Sequence, residues 1–539
     1  MLKDVVKHAL EAALQSLGVE NPAIEVSPTD KPEFGDYATN VAFTLSKRLK
    51  KSPRQLAEQI VEQLDSGIFE KVAVAGPGFI NFYLKPETLH EVVQAAVEQG
   101  KAFGRIDLGQ GRRVQVEYVS ANPTGPLTVG HGRNAVVGDT VANLLAAVGW
   151  QVTREYYYND AGRQMRVLGE SVKLRVCELL GQKVEIPEDF YQGEYLIDIA
   201  RSILDEHGEA VADRDWPFFK DVAENTIFAD IRNTLAQLGI QFDVYTNEAS
   251  FFENNAIWDC LEQLRDKGVI YDRDGAVWYK STEFGADKDR VLVRATGEPT
   301  YRLPDIAYHV DKLKRGFDWV IDVLGADHAA QTPDILSALK VLGYDAEKIQ
   351  PLIYQFITLT AGGQAVKMST RKANFVTLDE LVQEVGADAV RYFMISRSTD
   401  AQMEFDLELA KRQSKDNPVY YIQYAHTRIA SILRQHQGQD TSKAAVDLSP
   451  LQEPDVLALI KKLDAFSDTL EEAVKHLAPH ILVAYAHQLA GMFHLFYEKF
   501  RVLDDDETTA TARLALVKAT QVVLQQALEI LGVSAPQRM

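Results

Sequence analysis

The residues best suited to chemistry lie in a loop from Ser120 to Arg133, with the sequence SANPTGPLTVGHGR. The loop joins a predicted strand to a predicted helix, which is where ligands bind in open α/β sheets. Unpaired amide hydrogens and the helix dipole favour an anion there. Gly130 lets the backbone approach a ligand closely, and His131 can donate a ring N–H to a phosphate. A plain strand-to-helix turn with incidental glycines explains the same pattern, so the loop alone leaves both interpretations open.

A second segment could supply cations to the same anion. Residues 367–372 read KMSTRK, and they follow a predicted strand and the turn Gly362-Gly363. Three cations and two hydroxyls within six residues suit a clamp on phosphate groups. A basic loop on its own is usually solvated surface, so this segment gains meaning only together with the loop that contains His131.

The elements that must position these loops form an alternating pattern. Residues 114–119 are a predicted strand, the helix after the first loop is apolar on one face, and residues 151–158 (QVTREYYY) are a second strand. Such a βαβ unit predicts an α/β fold with a parallel, doubly wound, Rossmann-like sheet. The sheet resumes at 319–324 and at 352–359. Residues 161–290 are mostly helical and acidic, and we interpret them as a long insertion in the sheet.

The chain divides into three predicted domains. Residues 1–105 read as a small α/β unit and residues 106–410 as the Rossmann-like domain with its insertion. After residue 410 the periodicity is helical almost to the end, so residues 411–539 are a predicted all-α bundle, with a polar loop at 434–447.

The composition excludes several classes of protein. The chain has 539 residues, 46% hydrophobic and 25% charged, which excludes wholesale disorder. No apolar run approaches the roughly 20 residues that cross a bilayer, and the first residues do not resemble a secretory signal. The two cysteines, Cys177 and Cys260, exclude a disulfide framework. We therefore expect a cytoplasmic protein that contacts no membrane.

The net charge of −20 is unevenly distributed along the chain. Residues 1–105 hold 12 basic and 14 acidic side chains, and residues 411–539 hold 14 and 15, whereas residues 106–410 hold 31 and 48. Both ends are close to neutral and could carry local basic faces, on which phosphate binding depends. The charge leaves a polyanionic partner possible without supporting one.

The two loops, in this order and about 240 residues apart, resemble the HIGH and KMSKS elements of class I aminoacyl-tRNA synthetases. Together with YYYNDAGRQ, YRLPDIAYH, GADHAAQ and DNPVYYIQYAHTRI, they resemble the arginyl-tRNA synthetase family, from the FGDYATN segment to the carboxyl end. The resemblance implies ATP-dependent attachment of arginine to its tRNA through an arginyl-adenylate, with release of AMP and pyrophosphate. It implies ATP and Mg²⁺ as cofactors, and we expect a monomer.

Two positions depart from the family's elements. The first histidine of HIGH is Thr128 here, and the second lysine of KMSKS is Thr370. Thr128 keeps a hydroxyl donor but lacks the imidazole. Either Arg371 or Lys372 could supply the missing cation.

The implied arginine needs carboxylates in bidentate geometry, with an aromatic face beside them. Glu117 ends the first predicted sheet strand, and Tyr301 and Asp305 are spaced to share one helical face. By resemblance, the amino-acid pocket would be lined by Glu117, Asn122, Tyr301, Asp305 and Gln331. In the alternative interpretation, Tyr301 is a core residue and Asp305 a helix-start carboxylate.

The implied nucleotide site spans both loops. His131 and Lys367 would be catalytic, because they stabilise negative charge as the arginine carboxylate attacks the α-phosphorus. By resemblance, the residues that contact ATP would be Thr128, Gly130, His131, Gly325, Asp327, His328, Lys367, Met368 and Ser369. For His328, the alternative is a hydrogen-bonded core histidine.

The tRNA specific for arginine would contact both ends of the chain. The carboxyl-terminal bundle resembles an anticodon-binding domain, with candidate contacts on successive turns of one helix: Tyr420, Tyr424 and Arg428. These side chains suit stacking on unpaired bases, although the same spacing suits core packing. The amino-terminal domain would touch the tRNA elbow through Phe34, Tyr37 and Asn40.

Three other functions stay open from sequence alone. A small-molecule nucleotidyltransferase would share the two loops but would hardly need the helical bundle. A class I synthetase for another amino acid is the nearest rival, although Glu117 and Asp305 favour a cationic substrate. A non-catalytic RNA-binding module would leave both loops without a role.

Overall fold

The amino-terminal residues fold as a small α/β unit. The computed structural model of the chain describes residues 1–29, 31–366, 376–436 and 446–539. Four strands of the first unit form an antiparallel sheet in the order β1-β2-β4-β3. Its elements are α1 (Leu2–Ser16), β1 (Val26–Pro28), β2 (Tyr37–Thr39), α2 (Val41–Leu49), α3 (Pro53–Gln63), β3 (Phe69–Ala75), β4 (Phe79–Leu84) and α4 (Pro86–Gln99).

The next part of the chain builds the predicted βαβ unit and a helical excursion. The strand and helix limits lie close to those read from the pattern, because apolar residues mark both. The elements are β5 (Arg113–Glu117), α5 (Val129–Ala147), β6 (Gln151–Tyr158), α6 (Gly162–Leu179), α7 (Tyr195–His207), α8 (Trp216–Gln237) and β7 (Val244–Asn247).

The chain then forms a small antiparallel sheet, in the order β10-β9-β8, before it returns to the main sheet. The elements are α9 (Ala249–Glu253), α10 (Ala256–Asp266), β8 (Ile270–Arg273), β9 (Ala276–Tyr279), β10 (Arg290–Val293), α11 (Arg302–Lys314), β11 (Trp319–Gly325), α12 (Thr332–Val341) and β12 (Ile349–Tyr354).

The central sheet is parallel, with strand order β12-β11-β5-β6-β7. This order is that of a doubly wound sheet, which confirms the predicted fold class. The order reverses between β5 and β11, so their carboxyl ends border a crevice in which such sheets bind ligands.

The interpretation of residues 161–290 as one insertion is wrong in one respect. Helices α6–α8 leave the sheet, but Val244–Asn247 returns to it as the edge strand beside β6. This strand has only four residues, too few to show an alternating pattern. Residues 352–359 also differ from the prediction, because they contribute to two strands in different sheets.

After the central sheet the chain forms a short three-stranded sheet and then the helical bundle. The elements are β13 (Ile357–Ala361), β14 (Gln364–Ala365), α13 (Leu378–Val385), α14 (Ala387–Met394), β15 (Met403–Asp406), α15 (Leu407–Lys411), α16 (Pro418–Gln435), α17 (Pro454–Asp464), α18 (Phe466–Lys475), α19 (Pro479–Lys499) and α20 (Glu507–Leu531). In the described part of the chain, α20 is long and apolar enough to span a membrane, but 72% of its apolar window is buried in the protein, as in a core helix.

Helix α5 lies at the centre of the molecule. It packs against the parallel sheet and against helices α14, α18, α19 and α20, so nearly every residue from Gly132 to Ala142 is buried. Arg391 of α14 strengthens this packing with a guanidinium that donates to Asp139 of α5 at 2.6 Å and to the carbonyls of Leu238 and Leu531. The helix that carries His131 is therefore anchored from several sides.

Candidate active site

Asn134 holds the two strand ends that border the crevice. Its Oδ1 accepts the amide hydrogen of Val119, just after β5, at 2.6 Å. Its Nδ2 donates to the carbonyl of Val323 in β11 at 2.9 Å. One buried amide on α5 therefore fixes the helix against both sides of the opening.

The imidazole of His131 is held at the amino end of α5 as a hydrogen-bond donor. Thr128 is the N-cap residue, and its backbone N–H donates to Nδ1 of His131 at 3.1 Å. Because Nδ1 accepts this bond, the proton of the neutral ring lies on Nε2. Burial lowers the pKa of His131, which favours the neutral ring. Among the described residues Nε2 has no hydrogen-bond partner, so an N–H donor is available beside the helix amide hydrogens.

Arg133 places a fixed positive charge behind this turn. Its side chain is fully buried, and its guanidinium donates to the carbonyls of Gln355, Ser398 and Ala401. Its hydrogen-bond partners are neutral carbonyl groups, and among the described residues it forms no ion pair, although Asp400 lies close enough to act on its charge. Arg133 therefore adds to the positive potential at the amino end of α5.

The loop between β5 and α5 is strained and is braced by neighbouring elements. Val119 and Ser120 have φ angles of 66° and 42°, a left-handed conformation that is unfavourable for a β-branched residue. Three bonds hold the following residues: Tyr156 Oη to the carbonyl of Ala121 at 2.7 Å, Tyr195 Oη to that of Thr124 at 2.6 Å, and the amide of Asn159 to Oδ1 of Asn122 at 2.9 Å. Strand β6 and the helical excursion thus set the shape of the loop.

The second loop lies outside the described residues, but both of its flanks are described. The predicted contacts of this loop are among the residues outside the described part of the chain: Lys367, Met368, Ser369, Arg371 and Lys372. Strand β14 precedes the loop, and Thr377 follows it and pairs with Thr128 in an isolated antiparallel bridge. Leu378 donates its amide hydrogen to the carbonyl of Leu127 at 2.8 Å. The chain that leaves the second loop thus returns to the turn that holds His131, as a shared anion site requires.

On the other side of the crevice, the turn after β11 exposes two of the predicted nucleotide contacts. Gly325 ends the strand, and the side chains of Asp327 and His328 are 62% and 59% exposed. The alternative interpretation of His328 as a core histidine is therefore wrong. The nearest atom to a Cβ at Gly325 would be Oδ1 of Asp327 at 2.7 Å, which is the end of an exposed side chain that can turn aside.

Charged groups are buried together at the base of the crevice. Glu117 and Asp322 occupy paired positions on β5 and β11, and the ammonium of Lys312 on α11 donates to both. The bond to Oδ1 of Asp322 is 2.6 Å long. Burial acts to lower the pKa of Lys312, but the two carboxylates raise it above its ordinary value. Lys312 is therefore charged, and Glu117 is paired with a cation of the protein before any substrate binds.

His309 is the second cation of this cluster. Its Nδ1 lies 2.7 Å from the carbonyl oxygen of Asp305, and its Nε2 lies 2.9 Å from Oδ2 of Asp322. Both partners only accept hydrogen bonds when Asp322 is ionised, so both ring nitrogens must donate. Burial and Lys312 act to lower the pKa of His309, but Asp322 raises it above its ordinary value. Glu117, Asp322, Lys312 and His309 thus form a neutral set of two anions and two cations.

Asp305 retains an uncompensated negative charge beside this set. It lies in the first turn of α11 and forms no ion pair with a side chain in the described residues. Burial raises the pKa of Asp305 to about 7, as do Glu248 and Glu117, although His309 and Lys312 act to lower it. A bound cation would favour the ionised form of Asp305.

Glu248 is a second acid without a paired cation among the described residues. It is buried beside α9, and burial raises its pKa. Its two carboxylate oxygens accept from Tyr157 Oη at 2.7 Å and from Asn159 Nδ2 at 2.6 Å. These neutral donors orient the carboxylate without cancelling its charge. The negative charge of Glu248 contributes to the raised pKa of Asp305, so a cation bound near Asp305 would be attracted by both acids.

The remaining predicted pocket residues lie at the start of α11, at the start of α12 and in the loop after β5. Tyr301 is the N-cap residue of α11 and is 53% exposed, so the alternative interpretation of Tyr301 as a core residue is wrong. Gln331 is the N-cap residue of α12 and is partly exposed. Asn122 accepts from Asn159, as described above, and its Nδ2 donates to Gln164 at 3.0 Å.

Comparison with known proteins decides the family. Three family models match: "Arginyl tRNA synthetase N terminal domain" at residues 1–84, "tRNA synthetases class I (R), catalytic domain" at residues 91–408 and "DALR anticodon binding domain" at residues 422–539. The arginine–tRNA ligase of Desulfotalea psychrophila is 52% identical over 94% of this chain and 93% of its own length. The chain belongs to the arginyl-tRNA synthetase family.

Other comparisons agree with this assignment. The arginine–tRNA ligase of Salinibacter ruber is 47% identical over the full length of both chains. The structure of the Thermus thermophilus arginyl-tRNA synthetase, at 23% identity, shares the fold, with a TM-score of 0.77 and full coverage of both chains. As an arginyl-tRNA synthetase, the protein uses ATP to attach arginine to the tRNA specific for arginine.

The predicted anticodon contacts of this arginyl-tRNA synthetase share one partly exposed face of α16. The rings of Tyr420 and Tyr424 are stacked, with centroids 6.0 Å apart. The guanidinium of Arg428 lies 4.8 Å from the Tyr424 ring and 4.5 Å from the Tyr497 ring. This face therefore offers stacked aromatic rings and a cation on which further bases could stack.

The amino-terminal candidates differ in their surroundings. Phe34 is 46% exposed, and Asn40 is the partly exposed N-cap residue of α2. Tyr37 is 7% exposed, and its hydroxyl donates to Asp464 of α17 at 3.2 Å. Tyr37 thus joins the amino-terminal sheet to the bundle and does not present its ring at the surface, which corrects the prediction of a direct tRNA contact.

Sequence reasoning missed several residues of the site. Lys312 and His309 could have been found, because they lie seven and four residues after Asp305 and so share a face of α11. Glu248 gives no local signal, because it approaches the pocket from a distant short helix. The missed residues are Arg133, Asn134, Tyr157, Glu248, His309, Lys312 and Asp322.

Proposed function

We propose that this arginyl-tRNA synthetase forms arginyl-adenylate in the crevice between β5 and β11. An oxygen of the arginine carboxylate bonds to the α-phosphorus of ATP, and the bond to pyrophosphate breaks. A terminal adenosine hydroxyl of the tRNA then attacks the carbonyl carbon, and AMP leaves. The observation that carries the proposal is the neutral His131, whose Nε2–H is available at the amino end of α5.

In this proposal ATP binds along the amino end of α5 and the turn after β11. His131 donates to a phosphate oxygen, where the helix dipole also stabilises negative charge. Within the part of the chain that the structure describes, the only atom outside its own helix and chain neighbours that a Cβ at Gly130 would contact is Thr128 Oγ1, at 3.6 Å, which leaves room for a nucleotide. The other contacts are Thr128, Gly325, Asp327 and His328, with Lys367, Met368 and Ser369 from the second loop.

Mg²⁺ would accompany ATP through its phosphate oxygens and neutralise part of their charge. Among the described residues there is no group of three or more His, Cys, Asp or Glu side chains placed to hold a metal ion. From the protein, Lys367 and Arg133 would add positive charge near the phosphates, with Arg133 behind the turn that holds His131.

Arginine binds with its two ends on different acids. Asp305 and Glu248 take the guanidinium, because their charges are uncompensated and their pKa values are raised by burial. Glu117 and Asn122 take the α-amino end, because they lie on the strand and loop that lead to His131. Tyr301 supplies an aromatic face, and Gln331 borders the pocket.

The proposal also covers the contacts with tRNA, the domain limits and the oligomeric state. Tyr420, Tyr424 and Arg428 stack on anticodon bases, and Phe34 and Asn40 touch the elbow. The proposed domain limit near residue 105 falls between α4 and β5, and the limit near residue 410 falls inside α15, at its carboxyl-terminal end and before α16. We further propose that the protein is a monomer that acts in the cytoplasm, away from membranes. Light scattering of the purified protein tests the monomeric state.

ATP–pyrophosphate exchange over a panel of amino acids, with and without tRNA, tests the reaction. We expect exchange with arginine and a rate lower by a factor of at least about 10⁴ with neutral amino acids, because they leave the buried carboxylates unpaired. Exchange with a neutral amino acid at a comparable rate would contradict the pocket. Absence of arginine-dependent exchange in the presence of tRNA would contradict the adenylate.

A further inference from the structure

The charge of Lys312 is fully enclosed by the protein at the base of the crevice. It is 0% exposed, and its ammonium contacts Glu117 and Asp322 at their paired positions on β5 and β11. The two strands would otherwise bring two carboxylates side by side in the interior, which is strongly unfavourable without a cation. Lys312 therefore decides where the Glu117 carboxylate lies.

The remaining bonds of Glu117 support this role. One carboxylate oxygen, Oε2, is taken by Lys312, and the other, Oε1, accepts from Ser120 Oγ at 2.8 Å. Ser120 lies in the strained loop that leads to His131, and its Oγ also accepts the amide hydrogen of Tyr157 at 3.2 Å. Glu117 is thus held between a buried cation and the loop, and its position relative to His131 follows from both.

The ring of Tyr308 contacts the ammonium of Lys312 on one side and Tyr157 on the other. The ammonium lies 4.4 Å from the centroid of Tyr308, which stacks on Tyr157 at 4.3 Å with an interplanar angle of 16°. Tyr157 in turn donates to Glu248. The ammonium of Lys312 is therefore paired with Glu117 and Asp322. Among the described residues, Asp305 and Glu248 form no ion pair with it and can bind a cationic substrate.

We propose that Lys312 is a positioning residue of the amino-acid pocket, which holds Glu117 for the α-amino end of arginine and removes Glu117 from competition for the guanidinium. The proposal rests on the proposed arginine pocket. Lys312 acts through Glu117 and does not touch the substrate. Loss of its charge frees Glu117 to turn away, so arginine binding weakens while ATP binding does not change.

The test uses Lys312→Met, which keeps the length of the side chain and removes its charge, in the full-length enzyme. We expect the arginine KM to rise about 10- to 100-fold, as for the loss of a charged hydrogen bond, with the ATP KM unchanged. Arg315→Met is the matched control, because Arg315 ties the end of the same helix to buried Glu155 of β6 at 2.7 and 3.0 Å. It should change the arginine KM by less than about threefold.

A double-mutant cycle tests whether Lys312 acts through Glu117. In a Glu117→Gln background, Lys312→Met should leave the arginine KM unchanged, because the neutral amide no longer depends on the ammonium. The double variant also lacks one of the two carboxylates that Lys312 neutralises, so Glu117 is not left as a buried charge without its cation. It therefore gives the decisive comparison if Lys312→Met alone does not fold. A further rise in the arginine KM in that background, or an equal rise with Arg315→Met, would overturn the proposal.

Asp305→Ala distinguishes failure of this proposal from failure of the pocket. If Asp305→Ala leaves the arginine KM unchanged, the proposed arginine pocket is wrong, and the role of Lys312 falls with it. If Asp305→Ala raises the arginine KM and Lys312→Met does not, the pocket stands and the positioning role is wrong.

Discussion

The pKa of Asp305 predicts a pH dependence that affects one substrate only. Burial, with Glu248 and Glu117 nearby, raises this pKa to about 7 in the free enzyme. The guanidinium binds the ionised carboxylate, so protonation of Asp305 competes with arginine. Because the pKa is raised, the binding-competent form is lost as the pH falls through 7, far above the ordinary range of an aspartate.

The magnitude follows from this pKa. With a pKa of about 7, Asp305 is about nine-tenths ionised at pH 8 and about one-tenth ionised at pH 6. Arginine kcat/KM should therefore fall about tenfold between pH 8 and pH 6. Lys312 stays charged across this range, because its two carboxylate partners raise its pKa above its ordinary value.

Initial rates of aminoacylation at varied arginine, with saturating ATP and tRNA, measure this effect. The control is ATP kcat/KM at saturating arginine, which should not show the step near pH 7. Asp305→Asn should abolish the step, because the amide does not titrate. An arginine kcat/KM that does not change with pH in the wild-type enzyme would refute the reasoning. So would a pH dependence near pH 7 that is the same in Asp305→Asn as in the wild-type enzyme.

Three further predictions follow from the same structure. His131→Ala should slow arginine-dependent pyrophosphate exchange about 10²- to 10³-fold, because one donor to the developing charge is lost, and near wild-type exchange would remove His131 from the mechanism. Asp305→Asn should raise the free energy of unfolding at pH 8 on the order of 2 kcal/mol, because a buried charge is removed. Chemical denaturation at several pH values measures this gain in stability, which should shrink below pH 7 and vanish near pH 4. Arg428→Ala should raise the tRNA KM about tenfold and leave the KM values of arginine and ATP unchanged, and a change in all three would indicate general damage.

The parallel sheet and the His131 turn could be predicted from the sequence because their signals are local. Apolar runs mark β5, β6 and β11, and the glycine-histidine turn lies between a strand and a helix, so the crevice follows from topology rules. The exposure of Tyr301 and the burial of Tyr37 could not be predicted. Both depend on which neighbouring element covers the ring, and for Tyr37 that element is a helix more than 400 residues away.

The sequence also could not predict which acids of the pocket are paired with a cation of the protein. Glu117 and Asp305 look alike as acids near a ligand loop, and the pattern predicted that both would serve the guanidinium. The register of β5 and β11 places Asp322 beside Glu117, and α11 supplies Lys312 to both. Only three-dimensional placement shows that Glu117 already has a cation and that Asp305 and Glu248 do not.

The most direct test of the central claim is to measure the KM of arginine and the KM of ATP in the Asp305→Ala variant. The account predicts a rise in the arginine KM of about 100-fold or more, because a charged partner of the guanidinium is lost from a buried site, and an ATP KM within about twofold of the wild-type value. Equal changes in both constants, or no change in the arginine KM, would contradict it.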